Sequence, residues 1–173
     1  MNVLRSLLLA GAMAFGLAEA TAQAQWQTVS NAERSFFVEM PGAAKYSTSK
    51  SKTRSGEEYT MHIYVVETGA EAFVVQTAVF PASVDTSNPR GNLQGGLDNA
   101  MRNMDGKTWQ SVTWTSVQGL VAVDAVGARD GHAIRTFSLM DGARIVALTY
   151  AGPRGTTGSS NATRFLKSLR IAR

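Results

Sequence analysis

Asp124 and Arg135 carry opposite charges on neighbouring stretches of alternating apolar and polar residues. The second stretch, "GHAIRTFSLMDGARIVALTYAG" (Gly131 to Gly152), alternates on both sides of Asp141-Gly142, the pattern of a β-hairpin. It sets Arg135 on the same face as Phe137 and Leu139. With a two-residue turn at Asp130-Gly131, Arg135 falls opposite Val126 and Asp124 falls opposite Phe137. The two charges are then diagonal neighbours on one face, within reach of a long side chain. Thr113, on the preceding strand, lies opposite Asp124 and adds a hydroxyl. A lone guanidinium under a helix is costly, and a partner carboxylate lowers that cost. Two chemistries follow. The first in weight is a half-buried ion pair between the sheet and a helix layer; the second is a polar pocket for an anionic or hydroxylated ligand. A slip of one residue in either turn would place the two groups on opposite faces and dissolve both.

A second candidate is "GTTGSS" (Gly155 to Ser160), which follows a strand and opens a helix. Gly155, Thr156 and Thr157 could offer backbone N–H groups to an anion, with Arg154 assisting. The segment lacks the lysine of a phosphate loop, and a capped helix start accounts for the same residues. Metal ligation needs clustered His, Cys or carboxylates. Only His62 and His132 are present, neither with an acid at ligand spacing, so no metal and no cofactor is expected. A hydrolase would have to assemble one of these histidines with a serine and an acid from scattered positions, without a nucleophile elbow. The basic run Lys45, Lys50, Lys52 and Arg54 has only Tyr46 interleaved. It lacks the stacking aromatics of a nucleic-acid surface, and no nucleic-acid partner is expected.

The chain begins "MNVLRSLLLAGAMAFGLAEATAQAQW", with Arg5, an uncharged and mostly apolar run from Ser6 to Ala18, and overlapping A-x-A sites. This is the layout of a secretory signal peptide, with removal after Ala24 leaving residues 25–173. The apolar run is shorter than the ~20 residues of a spanning helix, and no later stretch could span. The product is expected in the periplasm or outside the cell. The chain has no cysteine, so its core must hold it without disulfides. That excludes thiol catalysis, thiolate metal sites and lipid attachment at the cleavage site. The net charge is +4, and losing Arg5 and Glu19 together leaves it unchanged. This excess suits an anionic surface, and it is equally the ordinary balance of an exported protein.

These residues must be held by elements that the patterning also predicts. "RSFFVEMPG" reads as a short strand and "KYSTSKSKTRSGEE" as a polar loop. "YTMHIYVVE" and "AFVVQTAVFP" form a hairpin around Thr68-Gly69-Ala70. A helix starts at Asn88-Pro89, with Leu93, Leu97, Ala100, Met101 and Met104 on one face and Gly106 as its stop. Gly95 and Gly96 weaken it and suggest a closely approaching partner. From Thr108 to Ala151 runs a four-strand meander in which Val117 faces Leu120, Arg129 faces His132 and Met140 faces Ala143. One face carries Leu120, Ala122, Phe137, Leu139, Val146 and Leu148, and the other Trp114, Val123, Ala125, Ile134 and Ile145. Both need cover, so helices lie on each side. The closing helix "GTTGSSNATRFLKSLRI" supplies part of it through Ala162, Phe165, Leu166 and Leu169. Lys167 and Arg170 suit its C-terminal end.

The opening strand and turn "FFVEMPG", the helix after the first strands, the glycine-punctuated meander and the ending "ATRFLKSLRI" together resemble the PsbP-like family. That group includes the plant photosystem extrinsic protein PsbP, its bacterial relatives and a nuclear Ran-release factor. The resemblance implies one domain of α+β type: a three-layer α/β/α sandwich around a mainly antiparallel sheet. It implies no shared catalytic residues. It points to an exported accessory or binding protein acting on a protein or envelope partner. The alternatives are a small-ligand binder at Asp124 and Arg135, and a hydrolase.

Overall fold

The computed structural model describes residues 25–172; the signal peptide assigned to residues 1–24 lies outside them. In chain order these residues form β1 (Gln27–Val29), β2 (Phe36–Met40), β3 (Lys45–Lys52), β4 (Glu58–Thr68), β5 (Glu71–Val79) and α1 (Pro89–Met101). Then come β6 (Ser111–Val117), β7 (Leu120–Arg129), β8 (His132–Asp141), β9 (Arg144–Gly152), α2 (Ser160–Lys167) and β10 (Arg170–Ile171). Seven strands make one sheet in the order β3-β4-β5-β9-β8-β7-β6. Every neighbouring pair is antiparallel. Hairpins build both halves of this sheet. After β5 the chain crosses to the far edge through α1 and then meanders back, so that β9 closes against β5.

The alternation in β7, β8 and β9 gives the sheet two apolar faces, and each has its cover. On one face Leu93 and Leu97 of α1 pack with Val123, Ala125 and Met140, bordered by Trp109 and Trp114. On the other, Ala162, Phe165 and Leu166 of α2 join Phe73, Leu139, Val146, Leu148 and Tyr150 in a larger cluster. Beside α2 lies a small sheet, β1-β2-β10, which adds Phe36, Val38, Met40 and Ile171 to that cluster. The architecture is therefore the expected three layers, with the second outer layer shared between a helix and a small sheet.

Asn88 caps α1 as expected, its Oδ1 accepting from Gly91 N at 2.9 Å, with Pro89 in the first turn. The helix ends at Met101, short of Gly106, and Trp109 Nε1 donates to Leu97 O at 3.1 Å. That bond ties the segment after α1 back onto the helix. Met104 accordingly lies beyond the helix. Gly95 and Gly96 are exposed, and a Cβ at either would meet nothing within 4 Å. No close approach within the described structure explains them. Gly95→Ala and Gly96→Ala should each stabilise the fold by up to about 1 kcal/mol, raising the melting temperature by ~2–4 °C in thermal unfolding. A fall in melting temperature for either would contradict this.

Three further sequence expectations change. The closing helix, expected to run through Ile171, ends at Lys167, and Arg170–Ile171 instead form β10, drawn into a strand by pairing with β2. The segment expected to be a polar loop forms β3, paired along its length with β4 from Lys45↔Val65 to Lys52↔Glu58. Its residues are exposed on both faces, so no hydrophobic period marks it as a strand. Lysines on such an edge discourage pairing with other chains. The β8–β9 turn is Gly142-Ala143, closed by Asp141↔Arg144, rather than Asp141-Gly142. Gly142 has φ +57°, and glycine at the first central position suits this turn type. The expected register is thus off by two residues, and because strands repeat every two, each side chain keeps its face.

Candidate functional site

The expected registers at β6–β7 and β7–β8 are the observed ones: Thr113↔Asp124, Asp124↔Phe137 and Val126↔Arg135. They bring Asp124 and Arg135 together in a two-pronged contact. Arg135 Nε donates to Asp124 Oδ1 at 2.9 Å and Nη2 to Oδ2 at 2.6 Å. The third prong, Nη1, reaches Thr157 O at 3.0 Å, so one guanidinium ties β7 and β8 to the segment before α2. The side chains retain 22% and 23% of their exposure, which makes this a half-buried pair. The hydrogen-bonded carboxylate of Asp124 raises the Arg135 pKa against the opposing pull of desolvation. Thr113 stands opposite Asp124 but is exposed on the edge strand. Thr115 lines the adjoining cavity in its place.

Residues Arg154 to Thr157 form the turn between β9 and α2, and several of their polar groups have partners within the chain, Thr156 N donating to Pro153 O at 3.2 Å. Arg154 Nε donates to Gly131 O at 3.3 Å, and Thr156 Oγ1 to Pro153 O at 2.7 Å. The Thr157 carbonyl receives Arg135, and Ser159 caps α2 by accepting from Ala162 N at 3.2 Å. A carboxylate of the chain itself sits at this helix start. Glu71 Oε1 accepts from Tyr150 Oη at 2.6 Å and Glu71 Oε2 from Asn161 Nδ2 at 2.9 Å. Tyr150 Oη also lies 2.7 Å from Thr156 Oγ1. Burial chiefly, then the Glu71 bond, raises the Tyr150 pKa, so the phenol keeps its proton and remains a donor. The charge favoured near a helix N-terminus is in this chain supplied by Glu71. Nothing in the residues near Glu71 signals this, because its partners come from the other end of the chain.

Two cavities flank α2. One of 270 Å³ lies between the helix and β6–β8, lined by Asp124, Arg135, Thr115, Phe137, Lys167 and Arg170 among others. The other, of 440 Å³, lies toward the small sheet, lined by Thr28, Phe37, Glu39, Arg164, Lys167 and Arg170 among others. Arg164 is paired with Glu39 at 2.7 Å and stacked 4.4 Å over the Trp26 ring. Lys167 and Arg170 belong to both cavities and have no carboxylate partner among the described residues. Arg170 Nη1 donates to the carbonyls of Lys167 and Leu169, both at 2.9 Å. The sequence marks these two cations as helix-end residues, and only the packing of α2 on the sheet places them between two openings.

The two histidines stand apart. His62 is on β4 and His132 at the start of β8, with β5 and β9 between those strands. His62 Nδ1 lies 2.7 Å from Tyr46 Oη, and His132 Nδ1 lies 3.1 Å from Asp130 O. Neither is hydrogen-bonded to a serine or a carboxylate, so the described structure does not assemble the constellation a hydrolase requires. Lys45, Lys50 and Lys52 lie along β3, and no described helix is long and apolar enough to cross a membrane.

Among solved structures the chain is similar to the solution structure of cyanobacterial PsbP (CyanoP) from Synechocystis sp. PCC 6803. The TM-score is 0.53 and the sequence identity 8%, over 91% of this chain and 98% of that one. The fold is PsbP-like. No family model and no curated protein matches the chain. At this identity the PsbP likeness rests on architecture alone.

Proposed function

We propose that the chain is an exported, non-catalytic accessory protein whose PsbP-like domain, residues 25–173, binds a negatively charged protein or envelope partner across the α2 face. The observation that carries this reading is the pair of cations without a carboxylate partner among the described residues, Lys167 and Arg170, set between the two cavities beside α2. The groups best suited to chemistry are engaged elsewhere: Arg135 with Asp124 and Thr157, and Tyr150 with Glu71. The leader-like composition of residues 1–24 supports export to the periplasm or beyond. The PsbP-like architecture accords with an accessory role.

A photo-reactive amino acid at exposed Thr28, which lines the larger cavity, should form a discrete adduct in intact cells. The Lys167→Glu/Arg170→Glu variant should reduce its yield at least about tenfold, equivalent to ~1.4 kcal/mol. Lys50→Glu on β3 should leave it unchanged. An adduct indifferent to the reversal at positions 167 and 170 would defeat the proposal.

A second reading has its own support, because Asp124 and Arg135 both line the 270 Å³ cavity. A small anionic or polar ligand held there would raise the melting temperature of the purified protein, and Lys167→Ala would remove that rise.

A further inference from the structure

The two edges of the main sheet differ in a way that bears on assembly. One edge, β3, carries Lys45, Lys50 and Lys52. The other, β6 (SVTWTSV), has no charged residue and no proline, and is exposed along most of its length, with Val112 at 40%. Edges built to stay unpaired carry charge or proline, and β6 has neither. Its backbone donors and acceptors on the outer side have no strand partner among the described residues. The tight turn after Val117 makes Val117↔Leu120 a hydrogen-bonded pair. Alternation along an antiparallel ladder then turns the N–H and C=O groups of Val112, Trp114 and Ser116 outward.

We infer that β6 pairs antiparallel with β6 of a second copy of this chain, about a two-fold axis at Trp114, joining two sheets into one. The strand reads nearly the same from either end about Trp114. Trp114 meets Trp114, Thr113 meets Thr115 and Val112 meets Ser116. Aromatic–aromatic and Thr–Thr cross-strand pairs are favourable, and no like charges face each other within the strand. Self-pairing of β3 would instead bring lysines together. A two-fold arrangement uses the same patch on both copies, which an uncharged, near-palindromic strand satisfies. This inference rests on the β6 edge and not on Lys167 and Arg170, which carry the α2-face proposal.

The absence of native cysteine allows a register-specific test. Thr113 and Thr115 would be directly opposite at a non-hydrogen-bonded pair, about 4.5 Å between Cα atoms, which a disulfide can bridge. Mixing full-length Thr113→Cys and Thr115→Cys proteins under oxidation should yield a linked heterodimer. Either variant alone should not link, because its thiols would be diagonal, at ~7–8 Å. Ser116→Lys added to both should abolish the link and convert the wild-type dimer to monomer in sedimentation. Sedimentation as a monomer at all concentrations, a dimer indifferent to Ser116→Lys, or equal linking of all three samples would overturn the inference. So would a β6 edge that binds an extended peptide of another protein but not its own copy.

Discussion

Replacing Gly152 by alanine is expected to cost about 3 kcal/mol, combining overpacking of a filled core with weakened bonds to a charged group. The melting temperature should fall by ~6–12 °C. A Cβ at Gly152 would come closer to Tyr150 Oη, Tyr150 Cζ and Thr156 Oγ1 than real Cβ atoms come to their neighbours. The Tyr150 ring cannot swing aside. It is fully buried, and its neighbour Phe73, 5.5 Å away between centroids, also packs on Phe165 at 5.4 Å. Relief must come from the hydroxyl end, which breaks the Tyr150–Glu71 contact and loosens the turn that starts α2. Tyr150→Phe alone should cost less, ~1–2 kcal/mol, since it removes that bond without forcing the core. In the double variant the alanine should be better tolerated, a coupling that a double-mutant cycle in denaturant measures. Gly152→Ala unfolding within ~0.5 kcal/mol of wild type would mean that the network yields freely.

Asp124→Asn should destabilise the chain by ~2 kcal/mol, on the scale of hydrogen bonds to charged groups, with a melting temperature ~4–8 °C lower. The figure stays below the cost of breaking a fully buried pair because water still reaches both side chains. Asparagine leaves Arg135 half-buried without its counter-charge. Arg135→Lys should lose as much, because an ammonium cannot make both contacts to Asp124 and the one to Thr157 O. Replacing both residues by apolar ones of similar size should restore much of the loss. If Asp124→Asn unfolds like wild type and instead removes stabilisation by an added small anion or sugar, the pair lines a binding site and contributes little to stability.

The Asp124–Arg135 contact was readable from sequence because every step to it is local. Alternation assigns a face, a two-residue turn assigns a partner, and two adjacent turns relate the two charges. The same logic placed Asn88 as a cap and set both faces of the β6–β9 meander correctly, even where the β8–β9 turn was displaced by one residue and the register by two. It failed at β3, whose strand buries neither face and so leaves no periodic trace. It also left out β1 and β10, too short to show a period and stabilised by pairing with β2.

Contacts between distant segments were beyond it. Glu71 meets Tyr150 and Asn161 across separations of 79 and 90 residues, and Glu39 meets Arg164 across 125. By itself the sequence determined the faces of the meander strands, where the two helices start, the layered class and one ion pair, since hydrophobic period and turn chemistry act over a few residues. Only the tertiary structure decided that Glu71 closes the α2 start, that Gly152 must lack a side chain, and that Lys167 and Arg170 stand between two cavities. Those facts depend on how α2 docks on the sheet, and packing between elements leaves no mark in local periodicity.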